Sequence, residues 1–560
     1  MTRAATLAFA VCLGLSASTG CDPAPQGLFT DVTAESGIRF THENGARGQR
    51  HLPETTVGGL AWIDYDSDGW FDLYLVNGNL HSDRGGQGET ANKLFKNLGG
   101  GRFQDVTEES GAGDRGYGSG AAVGDYDNDG RSDLYVTNYG PNVLYHNEGG
   151  GKLRDVTGKA GVAAGGWSSS AAFLDHDLDG DLDLYVCRYV DYDPTRHCKQ
   201  GSLPTYCSPQ LFSGLPDLLF RNGGGGTFED VSRAAGVAVA GPREGKSLGV
   251  VVLDPDGDGD PDIFVACDQV PNLFFKNNGN GTFTESGLLA NVAYSSDGSS
   301  RAGMGADAGD VDLDGLEDIV VTNFADEPNS LFRAQGGGLF ADESSRFDLA
   351  GLSLSPLGFG ILLIDFDLDS DLDLYVANGH VQDNIAELQP DKTFAQRDQL
   401  LENLEGKRFA DASARGGPWF SRATVSRSAA ACDYDGDGDD DIAVLSSGGP
   451  AVLLRNDAPR GHWIAFRLQG TRSNRDGYGT KVRVEARRGA LLASRAFEAR
   501  SARSYASACD PCVRVGLGAE PVSVERVLIR WPSGASQVIE SPGVDRVHRV
   551  VEPDSRGPGG

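Results

Sequence analysis

Short runs dense in Val, Ile, Leu, Phe and Tyr recur along the chain, each closed by glycine-rich polar turns. They read DLYLV from Asp72, DLYVTN from Asp133, DLYVC from Asp183, DIFVAC from Asp262, DIVV from Asp318, DLYVAN from Asp373 and DIAVL from Asp441. β-Branched and aromatic residues in runs this short predict strands. Each has companions: in the second unit GAAVGD (120 to 125) leads in, VLYHN (143 to 147) follows a turn and KLRDVT (152 to 157) ends the unit. The leading strand is built of small residues, as also in SAAFLD, GADAGD and SAAACD, which suits a crowded place near a central axis. Four-stranded units repeating every 50 to 79 residues predict propeller blades, and seven copies predict seven blades. The fourth-strand signature G-x-F-x-D-V-T also stands at Gly27 to Thr33, while the seventh unit stops after its third strand at Val452 to Asn456. The N-terminal strand is therefore expected to complete the seventh blade, leaving no open gap in the ring.

Between the first and second strands of every unit lies a loop of the form D-x-D-x-D-[GS]-x-x-D. Position 1 is held by Asp64, Asp125, Asp175, Asp254, Asp310, Asp365 and Asp433, and position 3 by Asp66, Asp127, Asp177, Asp256, Asp312, Asp367 and Asp435. Position 5 is held by Asp68, Asp129, Asp179, Asp258, Asp314, Asp369 and Asp437, and position 9 by Asp72, Asp133, Asp183, Asp262, Asp318, Asp373 and Asp441. Carboxylates at this spacing can converge on one hard cation, and an oxygen-only ligand set favours calcium, as many as seven ions in a structural role. Glycine at position 6 permits the positive φ of the tight turn. An EF-hand would need Glu at position 12 and a following helix; here position 12 is Leu75 or valine inside a predicted strand. In the sixth unit Ser370 replaces the glycine, and that site is expected to be the weakest because a Cβ makes the turn costlier.

The loops between second and third strands are short in most units. They are long at Asn77 to Asn92, Arg188 to Pro216 and Asn378 to Asp398. Because the acidic loops leave one face of the ring, these insertions must crown the other. Long insertions on a rigid scaffold are where binding commonly resides, so Tyr117, Trp167, Tyr192, His197, Tyr206, Phe212 and His380 are candidates for contacting a ligand on that face. His42, His51 and His81 could gather there too. From about Asp457 the repeats stop. HWIAFRLQG, TKVRVEAR, ASRAFEA, CVRVGLG, VERVLIRW, SQVIES and RVHRVV predict a small β-sandwich over 457–552. The fold class is thus all-β, a seven-bladed propeller over 21–456 and then the sandwich, with a disordered tail at 553–560.

Composition sharpens the picture at three points. The formal net charge of −31 argues against nucleic acid, whose phosphates need a basic footprint. The N-terminus reads as an export signal over 1–20: Arg3, an apolar run from Ala4 to Leu15, small residues, then Cys21. Ser18-Thr19-Gly20-Cys21 resembles a bacterial lipobox, which implies lipidation at Cys21 and a place in the bacterial envelope, periplasmic or at the cell surface, with secretion as the alternative. No later run is apolar enough for a membrane span. Cys198 and Cys207 sit in a polar insertion and suit a disulfide, whose short loop would stabilise by roughly 2.5 to 3 kcal/mol. Cys187, Cys267 and Cys432 fall in apolar strands and read as buried thiols. Cys509 and Cys512, a lone CxxC flanked by strand signals, read as a small structural disulfide.

With these residues in view, the chain resembles the cartilage acidic protein family, FG-GAP/VCBS propeller repeats followed by an ASPIC/UnbV domain. The resemblance rests on HENGARGQRHLPETTVGGLAWIDYDSDG, GYGSGAAVGDYDNDG, YCSPQLFSGLPDLLFRN, GTRSNRDGYGTKV and VLIRWPSG, and covers nearly all of the mature chain. The repeats are also similar to those of the integrin α-subunit propeller, which implies a calcium-stabilised extracellular module without supplying a ligand. The stretch from Ala506 to Cys512 departs from the family's serine-rich pattern.

No G-x-S-x-G or HExxH motif is present, and the nine histidines are scattered. The sequence therefore points to a binding or adhesion module, not an enzyme, whose insertion face takes a protein or glycan partner. The alternatives are a lyase-like polysaccharide-active enzyme using Tyr206 or His380, and an envelope scaffold docking through the C-terminal domain.

Overall fold

The computed structural model describes residues 27–79, 88–241, 244–459, 461–488, 491–520 and 522–554. The expected signal segment, Cys21 and His81 lie outside them. Seven four-stranded antiparallel units surround one axis. Blade 2 runs Tyr117–Gly124, Asp133–Tyr139, Val143–Gly149 and Lys152–Asp155, every residue of its first strand being buried. Blade 7 takes three strands from Ser426–Cys432, Asp441–Ser446 and Ala451–Asn456. Its fourth is Phe29–Asp31, with Phe29 opposite Asn456 and Asp31 opposite Leu454. The ring closes as the repeat phase requires, and strand pairing joins its two ends.

Fourth strands end earlier than the D-V-T pattern suggests. Asp155 Oδ1 accepts hydrogen bonds from the backbone N–H and the hydroxyl of Thr157, 2.9 and 2.6 Å away. This local turn ends the strand at Asp155 and starts the one-turn helix Thr157–Ala160. The same device precedes Thr107–Ser110 and Ser232–Ala235.

The C-terminal unit is a two-sheet sandwich with the seven expected strands. One sheet joins Val513–Gly518, His462–Gln469 and Val547–Val551; the other joins Leu491–Glu498, Lys481–Arg488, Val522–Arg530 and Ser536–Glu540. Ile464, Phe466, Val484, Val527 and Trp531 fill the space between them.

The sandwich sits on the acidic-loop end of the ring and sends residues 499–512 down the channel. Ser504 and Ala306 exchange both backbone hydrogen bonds, at 2.8 and 3.2 Å. Ser507–Ala508 adds a parallel strand to blade 1 beside Leu60 and Ala61. Ser501 Oγ donates to the Phe173 carbonyl at 2.5 Å, and the Asp510 N–H to that of Ala431 at 3.2 Å. The Ala121 N–H of blade 2 donates to the Ala506 carbonyl at 3.3 Å and the Ile361 N–H of blade 6 to Ser504 Oγ at 3.1 Å, so the plug touches blades 1, 2, 3, 5, 6 and 7 from inside. It also gives the small first-strand residues a specific reason: a Cβ at Gly59 would lie 2.2 Å from the Ala506 carbonyl oxygen, and one at Gly120 would lie 2.9 Å from the Ala506 Cβ.

The structure pairs Cys198 with Cys207. Cys509 and Cys512 correct the sequence reading: they are separate thiols. Each is engaged where the plug leaves the channel, Cys509 Sγ accepting the Ala431 N–H at 3.4 Å and both side chains packing on the core between blades 1 and 7.

Candidate metal sites and the insertion face

Every acidic loop is built alike. Position 6 lies in the left-handed region in all seven, from φ +86° at Ser370 to +107° at Gly438. Position 4 lies there as well, although it is glycine only at Gly257 and Gly436; Ser67, Asn128, Leu178, Leu313 and Leu368 adopt it elsewhere. These two turns fold the loop so that the position 1 carboxylate accepts the position 6 amide. Asp125 Oδ2 accepts from Gly130 at 2.7 Å, and Asp310 Oδ2 from Gly315 at 3.0 Å. The position 9 carboxylate faces the same space and also ties down the third strand. Asp133 accepts from Asn147 N at 2.7 Å and Tyr126 N at 3.3 Å, and Asp183 from Asn222 N at 2.8 Å and His176 N at 2.9 Å.

In three of the loops, three of the four acidic side chains come together. One carboxylate oxygen from each of Asp64, Asp66 and Asp72 lies within 4.8 Å of the others, as do those of Asp125, Asp127 and Asp133, and of Asp175, Asp177 and Asp179. Burial, then mutual repulsion, pushes the Asp175 carboxyl up to about 8, and burial with the nearby Asp476 does the same to Asp125. Buried oxygens without a hydrogen-bond donor, Asp66 Oδ1, Asp310 Oδ1, Asp367 Oδ1 and Asp435 Oδ1, are those a cation would satisfy. The donor set therefore fits a hard divalent ion, which positions 1, 3, 5 and 9 would hold and which would cross-link the loop. At Ser370 the hydroxyl donates to the Gly516 carbonyl, and the Ser370 carbonyl accepts from Arg495 Nε at 2.9 Å. The sandwich thus holds the turn that the sequence marks as strained.

A ring of asparagines at the ends of third strands went unread in the sequence. Asn147 Nδ2 donates to the Tyr65 carbonyl of blade 1, Asn222 Nδ2 to Tyr126 of blade 2, and Asn277 Nδ2 to His176 of blade 3. Asn403 Nδ2 donates to Val311 of blade 5, and Asn456 Nδ2 to Phe366 of blade 6. Asn97 closes the circle by donating to Tyr434 of blade 7 at 2.9 Å. Each staples one blade to position 2 of the preceding acidic loop. The available signal was the endings FKN, YHN, FRN, LEN and LRN; blade 5 carries Ala334 instead.

At the opposite end the insertions form a packed cap. The aromatic candidates are mostly its core, which corrects the expectation that they all face a ligand. Trp167 and Phe212 are buried with Tyr189, Met304 and Tyr505, and Tyr117 is buried with its hydroxyl on the Asn44 carbonyl at 2.5 Å. Tyr192 is half-buried, with ring centroids 5.9 Å from Trp167 and 5.3 Å from Phe212. Tyr206 and His380 line a cavity of about 690 Å³, together with His197, Thr56, Asp268 and Gln382. Among the seven candidates only His197 is exposed. The Tyr206 hydroxyl donates to Glu54 Oε2 at 2.9 Å, and burial, reinforced by that carboxylate, pushes its phenol up. Burial, aided by Arg427, pushes the His380 imidazole down to about 4. Gln382 exchanges two hydrogen bonds of 3.0 Å with the Tyr206 backbone, and Arg50 pairs with Asp383 at 2.8 Å. The blade 1, 3 and 6 sides of the mouth are thereby locked together.

Two family models match the chain. The FG-GAP-like repeat model matches residues 64–136, 125–186, 254–321 and 310–376, and the ASPIC and UnbV model matches 470–557. Cartilage acidic protein 1 of Mus musculus is 28% identical over 338 residues, covering 58% of this chain and 47% of that protein. The Homo sapiens protein is 27% identical over 341 residues, covering 58% and 46%. The chain spans about half the length of these curated relatives. Among solved structures, the V. cholerae biofilm matrix protein Bap1 aligns at 12% identity with a TM-score of 0.30, covering 90% of this chain and 74% of its own. A likeness that loose carries no argument about function.

Proposed function

Because the chain belongs to the cartilage acidic protein family, FG-GAP repeats followed by an ASPIC and UnbV domain, we propose that it is a calcium-stapled binding module of the export compartment. The observation that carries the reading is the convergence of acidic side chains in loop after loop, with buried oxygens lacking donors. Extracellular calcium modules bind at roughly 10⁻⁴ to 10⁻³ M, so millimolar calcium would stabilise by roughly 1 kcal/mol per site. The disulfide between Cys198 and Cys207 supports an oxidising location, consistent with the signal and lipobox read in the sequence.

The partner, a protein or a glycan, belongs on the insertion face in this reading, where a rigid cap surrounds a cavity. Proton transfer there is disfavoured at neutral pH: the Tyr206 phenol is pushed up, and His380 is pushed down while its Nδ1 accepts the Gln382 N–H at 3.0 Å. This weighs for binding over a lyase activity. Two measurements test the reading. Excess EGTA is expected to lower the melting temperature by many degrees; an unchanged melt would remove the structural role of calcium. Binding to a glycan or protein array should need calcium and be lost in the rim variants His197→Ala and Lys199→Ala, both at exposed positions. Unaltered array binding by those variants would move the partner elsewhere.

A further inference from the structure

In three blades the residue just before the third strand's stapling position is a lysine or arginine that reaches the acidic loop of its own blade. In blade 1 it is Lys96, whose ammonium contacts Asp66 and lies 3.1 Å from Asp68. In blade 4 it is Lys276, which contacts Asp256 and lies 3.6 Å from Asp258. In blade 5 it is Arg333, 3.0 Å from Asp312 and 3.2 Å from Asp314. These are positions 3 and 5 every time, so a side-chain cation stands where a divalent ion would draw two of its ligands.

Blade 3 differs, and the strand register explains why. Its equivalent base, Arg221, faces Glu229 across the strand pair and bonds to it at 2.6 Å. The cross-strand neighbours of Lys96, Lys276 and Arg333 are the neutral Gln104, Thr284 and Ala341, so nothing directly opposite competes with the loop for the base; Arg333 keeps Nη1 on the loop while its Nε bonds Glu343 at 3.1 Å. Asp175, Asp177 and Asp179 carry no lysine or arginine partner among the described residues.

Resting on the calcium reading above, we propose that Lys96, Lys276 and Arg333 are resident counter-cations that make two classes of divalent-ion site, a displaceable class in blades 1, 4 and 5 and a tight class that includes blade 3. Affinity in oxygen-ligand loops follows the net ligand charge. A divalent ion entering blade 5 must draw two carboxylates away from one guanidinium; entering blade 3, it displaces no lysine or arginine, and the base at hand is the His176 ring on Asp183.

The test is equilibrium dialysis of the full chain against graded calcium, with bound metal counted by elemental analysis. Wild type should show a tight class smaller in number than the loops, followed by a weaker class. Lys96→Met and Arg333→Met should each move one ion into the tight class, with a tightening of roughly tenfold. Glu229→Gln should act in the opposite direction, freeing Arg221 to reach its own loop and weakening one tight site. All these side chains lie at or near the surface, so folding is expected to survive, which circular dichroism checks. Seven equivalent sites unaffected by the three variants would overturn the two-class proposal and leave the calcium reading standing. No bound divalent ion at any calcium concentration would overturn both.

Discussion

His42 shows what burial does to a single side chain in this ring. Its ring nitrogens lie 3.2 Å from the backbone N–H groups of Gly78 and Gly448, and burial holds its imidazole down to about 4, from 6.5. A ring nitrogen that accepts an amide hydrogen must be unprotonated. The unfolded chain therefore takes up the proton first, and stability that is complete above about pH 6.5 is lost as pH falls towards 4. At pH 5 the loss attributable to His42 is about 2 kcal/mol. Urea unfolding in saturating calcium checks this: the stability gap between wild type and His42→Gln should narrow by that amount from pH 7.5 to pH 5. A gap that does not change with pH would rule out the neutral, accepting imidazole.

Strands carry the closure of the ring. Phe29 is fully buried, with ring centroids 6.3 Å from Phe366 and 6.1 Å from Phe420, in a strand only three residues long. Truncating it leaves a cavity between blades 6 and 7 and loosens the pairing of the chain's two ends. Phe29→Ala is expected to cost roughly 3 to 5 kcal/mol, read as a lower urea midpoint. A loss below about 1 kcal/mol would mean that the last strand is dispensable. This strand was legible beforehand because it carries the fourth-strand motif out of place, and the acidic loops were legible because four aspartates keep fixed spacing in every copy. The asparagine staples hid because each is one residue at a strand end, separated from its partner carbonyl by an entire blade. The register that diverts Arg221 to Glu229 was equally hidden, since pairing decides it and spacing does not.

At the scale of the whole molecule, the plug makes one body of two sequence domains. Nothing local marks residues 499–512 as a channel filler, because Ser504 meets Ala306 and Ala508 meets Ala61 only after the ring has closed. One buried tie is Arg503, whose Nε and Nη2 bond Asp307 at 3.0 and 2.9 Å, the Asp307 side chain being wholly buried. Removing one partner of a buried ion pair strands the other: Arg503→Met is expected to cost about 3 to 5 kcal/mol, and adding Asp307→Asn should recover part of it. Were the propeller and the sandwich independent, calorimetry would resolve two transitions and Arg503→Met would leave the propeller's where it was. A plug that braces six blades from inside demands instead one transition, lowered as a unit by Arg503→Met and partly restored in the double variant. A sandwich fragment cut free at residue 457 would then lose the walls that order its longest loop, which weakens any scaffold role in which that domain acts alone.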